Sequence, residues 1–330
     1  MNNFTINFKR SRTIESSHKI KLLISDINGK KILSSGNDLD YIYPRSSIKI
    51  FQAIPFVKSN AIKYFKMNSK EIALACSSHR GETYHIKNLQ NWINKVGLGK
   101  NKLKCGIHNP LNMEASEKLF RLNHKTDQLY NNCAGKHLAM ITSCIINKYK
   151  INNYLEFTHP HQKKIRDILE KFSNSKIKRS SFGVDGCSAP QYSFRIKDIS
   201  KMLCNLIKSY KKKFEYSDEV IKLMNSVFQN PNYIGGTDSL DSIIMSISNK
   251  KIFCKGGAEG VFLFIDISKE IVGVLKVVDG NERVLPFTVY KLFKKLKIMN
   301  NNELEKLKKN YSFKIMNHAK INVGKIEVNL

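Results

Sequence analysis

The spacing of apolar and polar residues divides the chain into two β-rich ends and a helical middle. Residues 19–26 are rich in leucine and β-branched residues, which predicts a strand, and the turn residues 27–29 lead into a return strand over 30–34. From 46 to 65 the apolar residues recur at helical spacing. Pro55 lies inside this segment, where we expect it to kink the helix or to mark a boundary.

The middle of the chain, from about residue 70 to 230, is predicted to be mostly helical with irregular polar loops. Toward the C-terminus the pattern returns to strands, and residues 268–270 predict a tight turn between two of them. The predicted helices cover residues 138–147, 161–172, 196–210 and 286–297, and the predicted C-terminal strands cover residues 251–254, 261–267 and 271–277.

This order of elements predicts an α/β (α+β) fold. Strands from both ends of the chain can join in one antiparallel sheet, with a helical lobe inserted between them. We expect a single domain over residues 1–330, with a sheet lobe from about 19–65 and 250–330 and a mainly helical lobe from about 66–249. A catalytic cleft would then lie between the sheet and the helical lobe.

Composition narrows the class of protein. The chain is 42% hydrophobic, which is enough for a substantial core, but it contains no apolar run long enough for a transmembrane helix. The polar residues 1–17 lack the apolar stretch of a secretory signal, so we expect a cytoplasmic protein without a membrane partner. Seven cysteines are an odd number without a framework spacing, which favours reduced thiols over a disulfide scaffold.

The net charge of +29 comes mainly from lysine, which supplies 47 of the 56 basic residues. Specific nucleic-acid surfaces usually depend on arginine, because its guanidinium makes two parallel hydrogen bonds. The lysines are also scattered along the sequence rather than clustered. We therefore favour a solvated, lysine-rich surface over a specific nucleic-acid interface.

Ser46 and Lys49 form a Ser-x-x-Lys pattern at the start of a largely apolar predicted helix. One helical turn separates the two residues, so both side chains share a face of the helix. A desolvated lysine at this position can lose its proton and act as the base for the serine. The alternative is an ordinary N-cap serine followed by a surface lysine.

Two further polar segments lie beside predicted buried or β segments. Residues 77–82 (Ser-Ser-His-Arg-Gly-Glu) follow an apolar run, and residues 255–260 (Lys-Gly-Gly-Ala-Glu-Gly) separate two predicted strands. Glycines allow a ligand to approach the backbone closely, as a binding loop requires. A solvated loop and a simple turn are the alternative interpretations.

Two cysteines lie in polar, glycine-containing clusters, at residues 131–137 and 183–187. A thiolate is both a metal ligand and a nucleophile, and neighbouring lysine or histidine favours the ionised form. The C-x-x-C pair of a zinc finger is absent, but two cysteines with one nitrogen ligand suit a catalytic zinc site. Two buried thiols without a ligand are the alternative.

Taken together, these segments resemble the asparaginase II family of the Rhizobium etli type. The matching segments follow one another in order from about residue 20 to the C-terminus. They are residues 44–49, 77–82, 105–110, 131–137, 184–190, 255–260 and 276–283, with a similar tail at 322–324. The resemblance implies a serine β-lactamase/penicillin-binding-protein-like fold, hydrolysis of L-asparagine to L-aspartate and ammonia, and a homodimer.

The resemblance also implies catalytic roles for four residues. Ser46 would be the nucleophile and Lys49 its base. Ser78 and Lys255 would form a second Ser–Lys pair that helps to activate the nucleophile and relays protons. Amide hydrolysis requires an activated nucleophile and a proton for the leaving amine, and these four groups can supply both.

A zinc site and a substrate site are implied in the same way. Cys133, Lys136 and Cys187 would hold a Zn²⁺ ion, and lysine can ligate a metal only as a neutral amine. The zinc would help to orient the substrate. The remaining substrate-binding residues would be Arg45, His137 and Asp185.

The chain departs from the family pattern at three positions. Ser239 stands where an arginine is usual after Gly-Thr-Asp, which bears on substrate contacts, while Ala134 and Ser188 replace other small residues. Two alternative functions stay open. One is another amidohydrolase or peptidase of the β-lactamase-like fold, and the other is a catalytically inactive protein that binds a ligand or nucleic acid.

Overall fold

The computed structural model describes residues 4–330, and its elements follow the predicted order of strands, helices and strands. The strands are β1 Phe4–Arg10, β2 Thr13–Asp26, β3 Lys31–Ser35, β4 Tyr41–Ile42, β5 Phe182–Val184, β6 Pro190–Tyr192, β7 Phe194–Arg195, β8 Ile252–Gly257, β9 Val261–Asp266, β10 Ile271–Val277, β11 Lys314–Met316 and β12 Asn322–Asn329.

Most of the helices lie between β4 and β8, and two more lie between β10 and β11. They are α1 Lys49–Lys58, α2 Ala61–Tyr64, α3 Ser69–Leu74, α4 Thr83–Val96, α5 Met113–Arg121, α6 Ala134–Ile146, α7 Pro160–Ser173, α8 Ile196–Tyr210, α9 Ser217–Gln229, α10 Asn232–Gly235, α11 Leu240–Ile247, α12 Leu285–Lys295 and α13 Asn301–Asn310. A 3-10 turn, Arg45–Ile48, leads directly into α1.

One eight-stranded antiparallel sheet contains both ends of the described chain. Its strands run in the order β11-β12-β1-β2-β10-β9-β8, and β3 pairs with β2. Ile6 on β1 lies opposite Val328 on β12, and Leu22 on β2 lies opposite Leu275 on β10. The α/β fold with an antiparallel sheet built from both termini, and with helices between, is therefore confirmed.

The sheet begins earlier than the sequence analysis predicts. β1 and the first half of β2 precede residue 19, and the polar residues 13–17 lie mostly on the exposed surface. These residues form a strand because β1 pairs with β2 on one side and with β12 on the other. Hydrogen bonds between the strands thus keep residues 13–17 extended, although their sequence has no apolar strand pattern.

α1 lies among the helices, although the sequence analysis assigns residues 46–65 to the sheet lobe. It packs against α6, α7 and α9, and its residues from Lys49 to Phe56 are all buried. The predicted helix also stops at Lys58, three residues after Pro55, and resumes as α2.

The sheet itself is covered by α8, which packs on β2 and β10, and by α12, which packs on β12. Within residues 4–330, no helix combines the length and the hydropathy needed to cross a bilayer.

Candidate active site

The end of β8 packs tightly against the 3-10 turn that precedes α1. A Cβ atom on Gly257 would lie 2.5 Å from the Pro44 carbonyl oxygen and 3.3 Å from the Ser46 amide nitrogen, so only glycine fits there. This contact borders a cleft of about 460 Å³ between the sheet and the helices. Its lining includes Ser46, Ser78, Arg80, Asp238, Lys255 and Tyr311.

Ser46 follows a residue with an unusual backbone conformation. Arg45 has a φ of +53°, in the left-handed region that non-glycine residues rarely adopt. Gln191 stabilises this turn by donating from Nε2 to the Arg45 carbonyl oxygen at 3.0 Å. The turn therefore presents the partly exposed Ser46 to the cleft, and residues in such conformations are often found at functional sites.

Lys49 lies beneath the cleft and contacts Ser78 rather than Ser46. Its Nζ donates to the Ser77 carbonyl oxygen and lies 2.9 Å from Ser78 Oγ. The described hydrogen bonds include none between Lys49 and the hydroxyl of Ser46. Ser46 thus lies in a 3-10 turn three residues before Lys49, and the hydroxyl in contact with the amine is that of Ser78.

The surroundings of Lys49 favour a neutral amine. The side chain is completely buried, and burial lowers its pKa, as do the nearby charges of Lys136 and Lys255, although Cys133 acts in the opposite direction. No carboxylate of residues 4–330 forms an ion pair with it. A buried lysine without a counter-ion is suited to act as a base near neutral pH.

Lys255 occupies a different electrostatic setting in the wall of the same cleft. Its Nζ donates to Asp241 Oδ2 at 2.9 Å and to the Gly256 carbonyl oxygen at 3.2 Å. In the part of the chain that the structure describes, no hydrogen bond joins Lys255 to Ser78. The predicted second Ser–Lys pair is therefore rearranged, because Ser78 contacts Lys49 while Lys255 contacts a carboxylate.

The two cysteine clusters of the sequence converge in space. Cys133 is the residue immediately before α6, and Cys187 lies in the loop between β5 and β6. One ligand atom each from Cys133, Asp185 and Cys187 lies within 4.8 Å of the other two. Lys136 completes the group, with its Nζ 3.0 Å from Cys187 Sγ and 3.7 Å from Asp185 Oδ2.

These groups strongly perturb one another. A hydrogen bond with Cys133 lowers the pKa of Cys187 to about 5, against the effect of burial and with help from Lys136. The same bond and burial raise the pKa of Cys133 to about 12. Burial favours a neutral Lys136, but the charges of Cys187, Cys133 and Asp185 outweigh it and raise the lysine pKa. Lys136 is thus a cation beside a thiolate in this arrangement.

The donor set is compatible with a metal ion. Two thiol sulfurs and a carboxylate are ligands that zinc accepts, and their mutual separation suits a single centre. Lys136 lies close enough to join them, but its proton must leave first, because an ammonium has no lone pair. The residues therefore fit a metal site of the predicted kind.

The three residues predicted to bind substrate lie outside the described lining of the cleft. Arg45 Nε and Asp185 Oδ1 form an ion pair at 2.9 Å. His137 is completely buried, with Nδ1 2.6 Å from the Tyr154 hydroxyl, and burial followed by the Lys136 charge lowers its pKa to about 3. Asp185 is thus part of the cysteine cluster, Arg45 contacts the cluster through Asp185, and the described side-chain hydrogen bond of His137 is to Tyr154.

The loop that carries Ser239, where the chain departs from the family pattern, closes one side of the cleft. Glu82 accepts hydrogen bonds from the backbone nitrogen and the hydroxyl of Thr237, at 3.0 and 2.9 Å. Arg80 and Asp238 form an ion pair at 3.0 Å beside this contact. The available sequence signal is the Gly-Gly-Thr-Asp cluster at residues 235–238, whose glycines by themselves indicate no more than a turn.

Comparison with known proteins adds the family. A solved structure of a candidate beta-lactamase from Bacteroides dorei is 10% identical and covers 88% of this chain and 93% of its own, with a TM-score of 0.38. A TM-score this low does not establish a shared fold or function. No curated protein matches the chain. The family model of L-asparaginase II, in contrast, matches residues 6–328, which is nearly the whole chain. The chain therefore belongs to the L-asparaginase II family and is a hydrolase that acts on the amide of asparagine.

Proposed function

We propose that the chain hydrolyses L-asparagine to L-aspartate and ammonia with Ser46 as the nucleophile and Lys49 as the base. The observation that supports this most is the buried contact of 2.9 Å between Lys49 Nζ and Ser78 Oγ, next to a cleft that Ser46 and Ser78 both line. A neutral amine at this distance can accept a proton from the Ser78 hydroxyl.

In the first half-reaction, Ser46 Oγ attacks the side-chain amide carbon of the substrate. The Ser46 proton passes to Ser78, and the Ser78 proton passes to Lys49. The same route returns a proton to the amide nitrogen, the C–N bond breaks, and ammonia leaves an acyl-enzyme ester. In the second half-reaction, water attacks the ester carbon and gives a proton to the same relay. The ester C–O bond then breaks, the relay returns the proton to Ser46 Oγ, and aspartate leaves.

Lys255 supplies a positive charge at the wall of the cleft. It is 4% exposed and is paired with a carboxylate, and it lines the same cavity as both serines. A fixed cation in a poorly solvated cleft stabilises negative charge on a substrate far more than the same cation does in water.

We also propose that the cysteine cluster holds Zn²⁺ through Cys133, Lys136 and Cys187, as the family resemblance implies, with Asp185 beside them. When bound, zinc would supply a Lewis-acidic centre that anchors polar groups of the substrate. Asn132, which lines the cleft, directly precedes Cys133 in the chain, so the cluster adjoins the site of reaction.

Ser46→Ala tests the proposed nucleophile. We expect the variant to keep the far-ultraviolet circular dichroism of the wild type and to release ammonia from L-asparagine at less than about a hundredth of the wild-type rate. Ser59→Ala, at the end of α1, is a matched control that we expect to be fully active. A folded Ser46→Ala protein with more than about a tenth of the activity would place the nucleophile elsewhere.

A panel of amides separates the alternative functions. L-asparagine, L-glutamine, short peptides and a β-lactam are each incubated with the wild type, and ammonia or ring opening is measured. We expect L-asparagine to be the best substrate. Preference for a peptide or lactam would indicate a different amidohydrolase, and no turnover of any amide would indicate an inactive binding protein.

Elemental analysis tests the proposed metal site. We expect about one zinc per chain after exposure to zinc, and loss of that zinc in Cys133→Ala and in Cys187→Ala. Cys144→Ala removes a buried thiol outside the cluster and should keep the metal. Zinc retained by the Cys133→Ala/Cys187→Ala double variant would refute this assignment.

The homodimer and the cytoplasmic location remain predictions from the family resemblance and from the sequence. Light scattering during size-exclusion chromatography measures the first, and we expect twice the chain mass. A monomer that is fully active at assay concentration would contradict the prediction of an obligate dimer.

A further inference from the structure

Asp241 is a buried carboxylate in the wall of the cleft that none of the proposed steps uses. It is 5% exposed and lies at the start of α11, beneath the loop that carries Asp238. Its only cationic partner within the described residues is Lys255, at 2.9 Å. A charge buried to this extent requires several hydrogen bonds to compensate for its lost hydration.

The carboxylate is fixed by donors on both of its oxygens. Oδ1 accepts from Ser239 Oγ at 2.7 Å and from the Ser242 backbone nitrogen at 3.0 Å. Oδ2 accepts from Lys255 Nζ and, at 3.3 Å, from the Gly256 backbone nitrogen. Burial raises the pKa of Asp241, but Lys255 and these hydrogen bonds outweigh burial and lower it overall.

Lys255 is held by this arrangement in a defined direction. An ammonium has three N–H donors, and two of those on Lys255 are taken by Asp241 and by the Gly256 carbonyl oxygen. One N–H therefore stays available at the wall of a cavity that Ser46 and Ser78 also line. Lys49 has no equivalent carboxylate within the described residues, although it is as deeply buried.

We propose that Asp241 is a positioning residue that holds the Lys255 amine oriented toward the cleft, while Lys49 serves as the base. The inference rests on the proposed function. Ser239 assists by fixing Asp241 through its hydroxyl, so the loop 236–239 supports the position of Lys255 as well as the shape of the cleft.

Other ionisable groups also act on this pair. Within electrostatic range of Lys255 or Asp241 lie Lys49 on α1, Cys76 after α3, Cys254 on β8, Glu282 before α12, and Tyr311. Among the described residues, Asp241 alone is a carboxylate in hydrogen-bond contact with the Lys255 amine. Without that carboxylate, one N–H of Lys255 loses its charged acceptor, and the amine is no longer held in one direction.

Asp241→Asn removes the charge while keeping the shape of the side chain. We expect kcat/KM for L-asparagine to fall about 10–100-fold. Asp198→Asn is the matched control, since Asp198 is also buried and pairs with Arg195, and it should leave kcat/KM unchanged.

A double-mutant cycle separates positioning from a purely structural role. Lys255→Met removes the amine, and if Asp241 acts through that amine, Asp241→Asn should cause no further loss in the Lys255→Met background. Additive losses would overturn the proposal. So would wild-type kcat/KM in folded Asp241→Asn.

Ser239→Ala decides the question if Asp241→Asn fails to fold. This variant removes one donor from Asp241 and should lower kcat/KM by about tenfold or less, a loss that should disappear in the Lys255→Met background. The same loss in the Lys255→Met background, or wild-type kcat/KM in folded Ser239→Ala, would then overturn the proposal. Ser46→Ala, measured in parallel, separates the proposed function from the proposed role of Asp241. An inactive Ser46→Ala protein supports Ser46 as the nucleophile, regardless of the result for Asp241→Asn.

Discussion

Lys49 and Lys136 are two lysines with nearly the same burial and opposite electrostatic surroundings. Lys49 is 0% exposed and Lys136 is 1% exposed. Burial and neighbouring cations lower the pKa of Lys49, whereas thiolate and carboxylate neighbours raise the pKa of Lys136 despite its burial. The difference therefore comes from the partners and not from the depth of the side chain.

The groups that contact each lysine explain why the two pKa values shift in opposite directions. Lys49 contacts a carbonyl oxygen and the Ser78 hydroxyl, which are neutral groups and do not compensate for a buried ammonium. Lys136 contacts Cys187 Sγ and lies near Asp185, which together carry negative charge. A single protein thus places one lysine where it can act as a base and another where it serves as a counter-ion.

This comparison gives a general way to assign bases in a lysine-rich protein. Among 47 lysines, sequence spacing alone does not distinguish a base from a surface charge. A buried lysine beside hydroxyls and without an anion is the candidate, because its surroundings favour the form with a free lone pair.

Lys49→Met should produce the largest effect. We expect kcat/KM for L-asparagine to fall about 10²–10⁴-fold, because general-base catalysis usually contributes that much. The free energy of unfolding should stay near that of the wild type or increase, since methionine fills the space without a buried amine. Ammonia release and urea denaturation measure the two quantities.

Lys58→Met, at the end of the same helix, is the control for Lys49→Met and should keep wild-type activity. If folded Lys49→Met retained more than about a tenth of the wild-type rate, Lys49 would not be the base.

Unlike Lys49→Met, which should lose activity but keep its stability, Lys136→Met should lose much of its stability. In chelator-treated protein we expect the free energy of unfolding to fall by about 3–5 kcal/mol, because Cys187 and Asp185 lose a buried counter-ion. Urea denaturation at pH 7 measures this loss. Lys171→Met removes an exposed lysine paired with Glu215 and should change stability little, because water screens that pair. Equal stability of Lys136→Met and the wild type would contradict the assigned counter-ion role.

His161→Phe extends the comparison to a buried group without any partner among the described residues, and its effect should be the smallest. His161 is completely buried, neither ring nitrogen has a hydrogen-bond partner there, and burial, followed by His159 and Lys164, lowers its pKa to about 3. The unfolded chain, with a histidine pKa near 6.5, therefore takes up the proton first. The stability that neutral His161 contributes to the folded state is therefore present above about pH 6.5 and is lost as the pH falls toward 3.

Urea denaturation at pH 7 and pH 5 tests this sign. The wild type should lose about 1–2 kcal/mol between the two pH values from this histidine, and His161→Phe should lose correspondingly less. His318→Phe replaces an exposed histidine and should match the wild type. An equal loss of stability in His161→Phe and the wild type would show that His161 does not contribute.

Regular patterns in the sequence predict the elements that local chemistry determines. The predicted bounds of α8 and β10 agree with the structure residue for residue, because α8 has a clear helical period and β10 is an apolar run preceded by a tight turn. The two polar cysteine clusters also predict a common site, and the structure brings Cys133 and Cys187 together. The patterns that predict α8 and β10 are local in sequence. The cysteine site is predicted by the unusual polar composition around each thiol.

The remaining features depend on contacts between distant residues. β1 alternates apolar and polar residues from Phe4 to Lys9, a strand pattern that the sequence analysis does not use, and it pairs with β12 at the other end of the chain. The partner of Lys49 is Ser78 instead of Ser46, because spacing on one helix predicts a shared face but not a hydrogen bond. Asp241 carries no signal beyond an acidic residue near a turn, since its role depends on Lys255.

The pH dependence of kcat/KM for L-asparagine, measured from about pH 6 to pH 10, tests the central claim that neutral Lys49 is the base. Because burial lowers the pKa of Lys49, activity should rise with pH and level off below the ordinary lysine pKa of about 10.4. The residual activity of Lys49→Met should lack this rise. A wild-type profile that is flat or that peaks on the acidic side, or the same rise in Lys49→Met, would contradict the account.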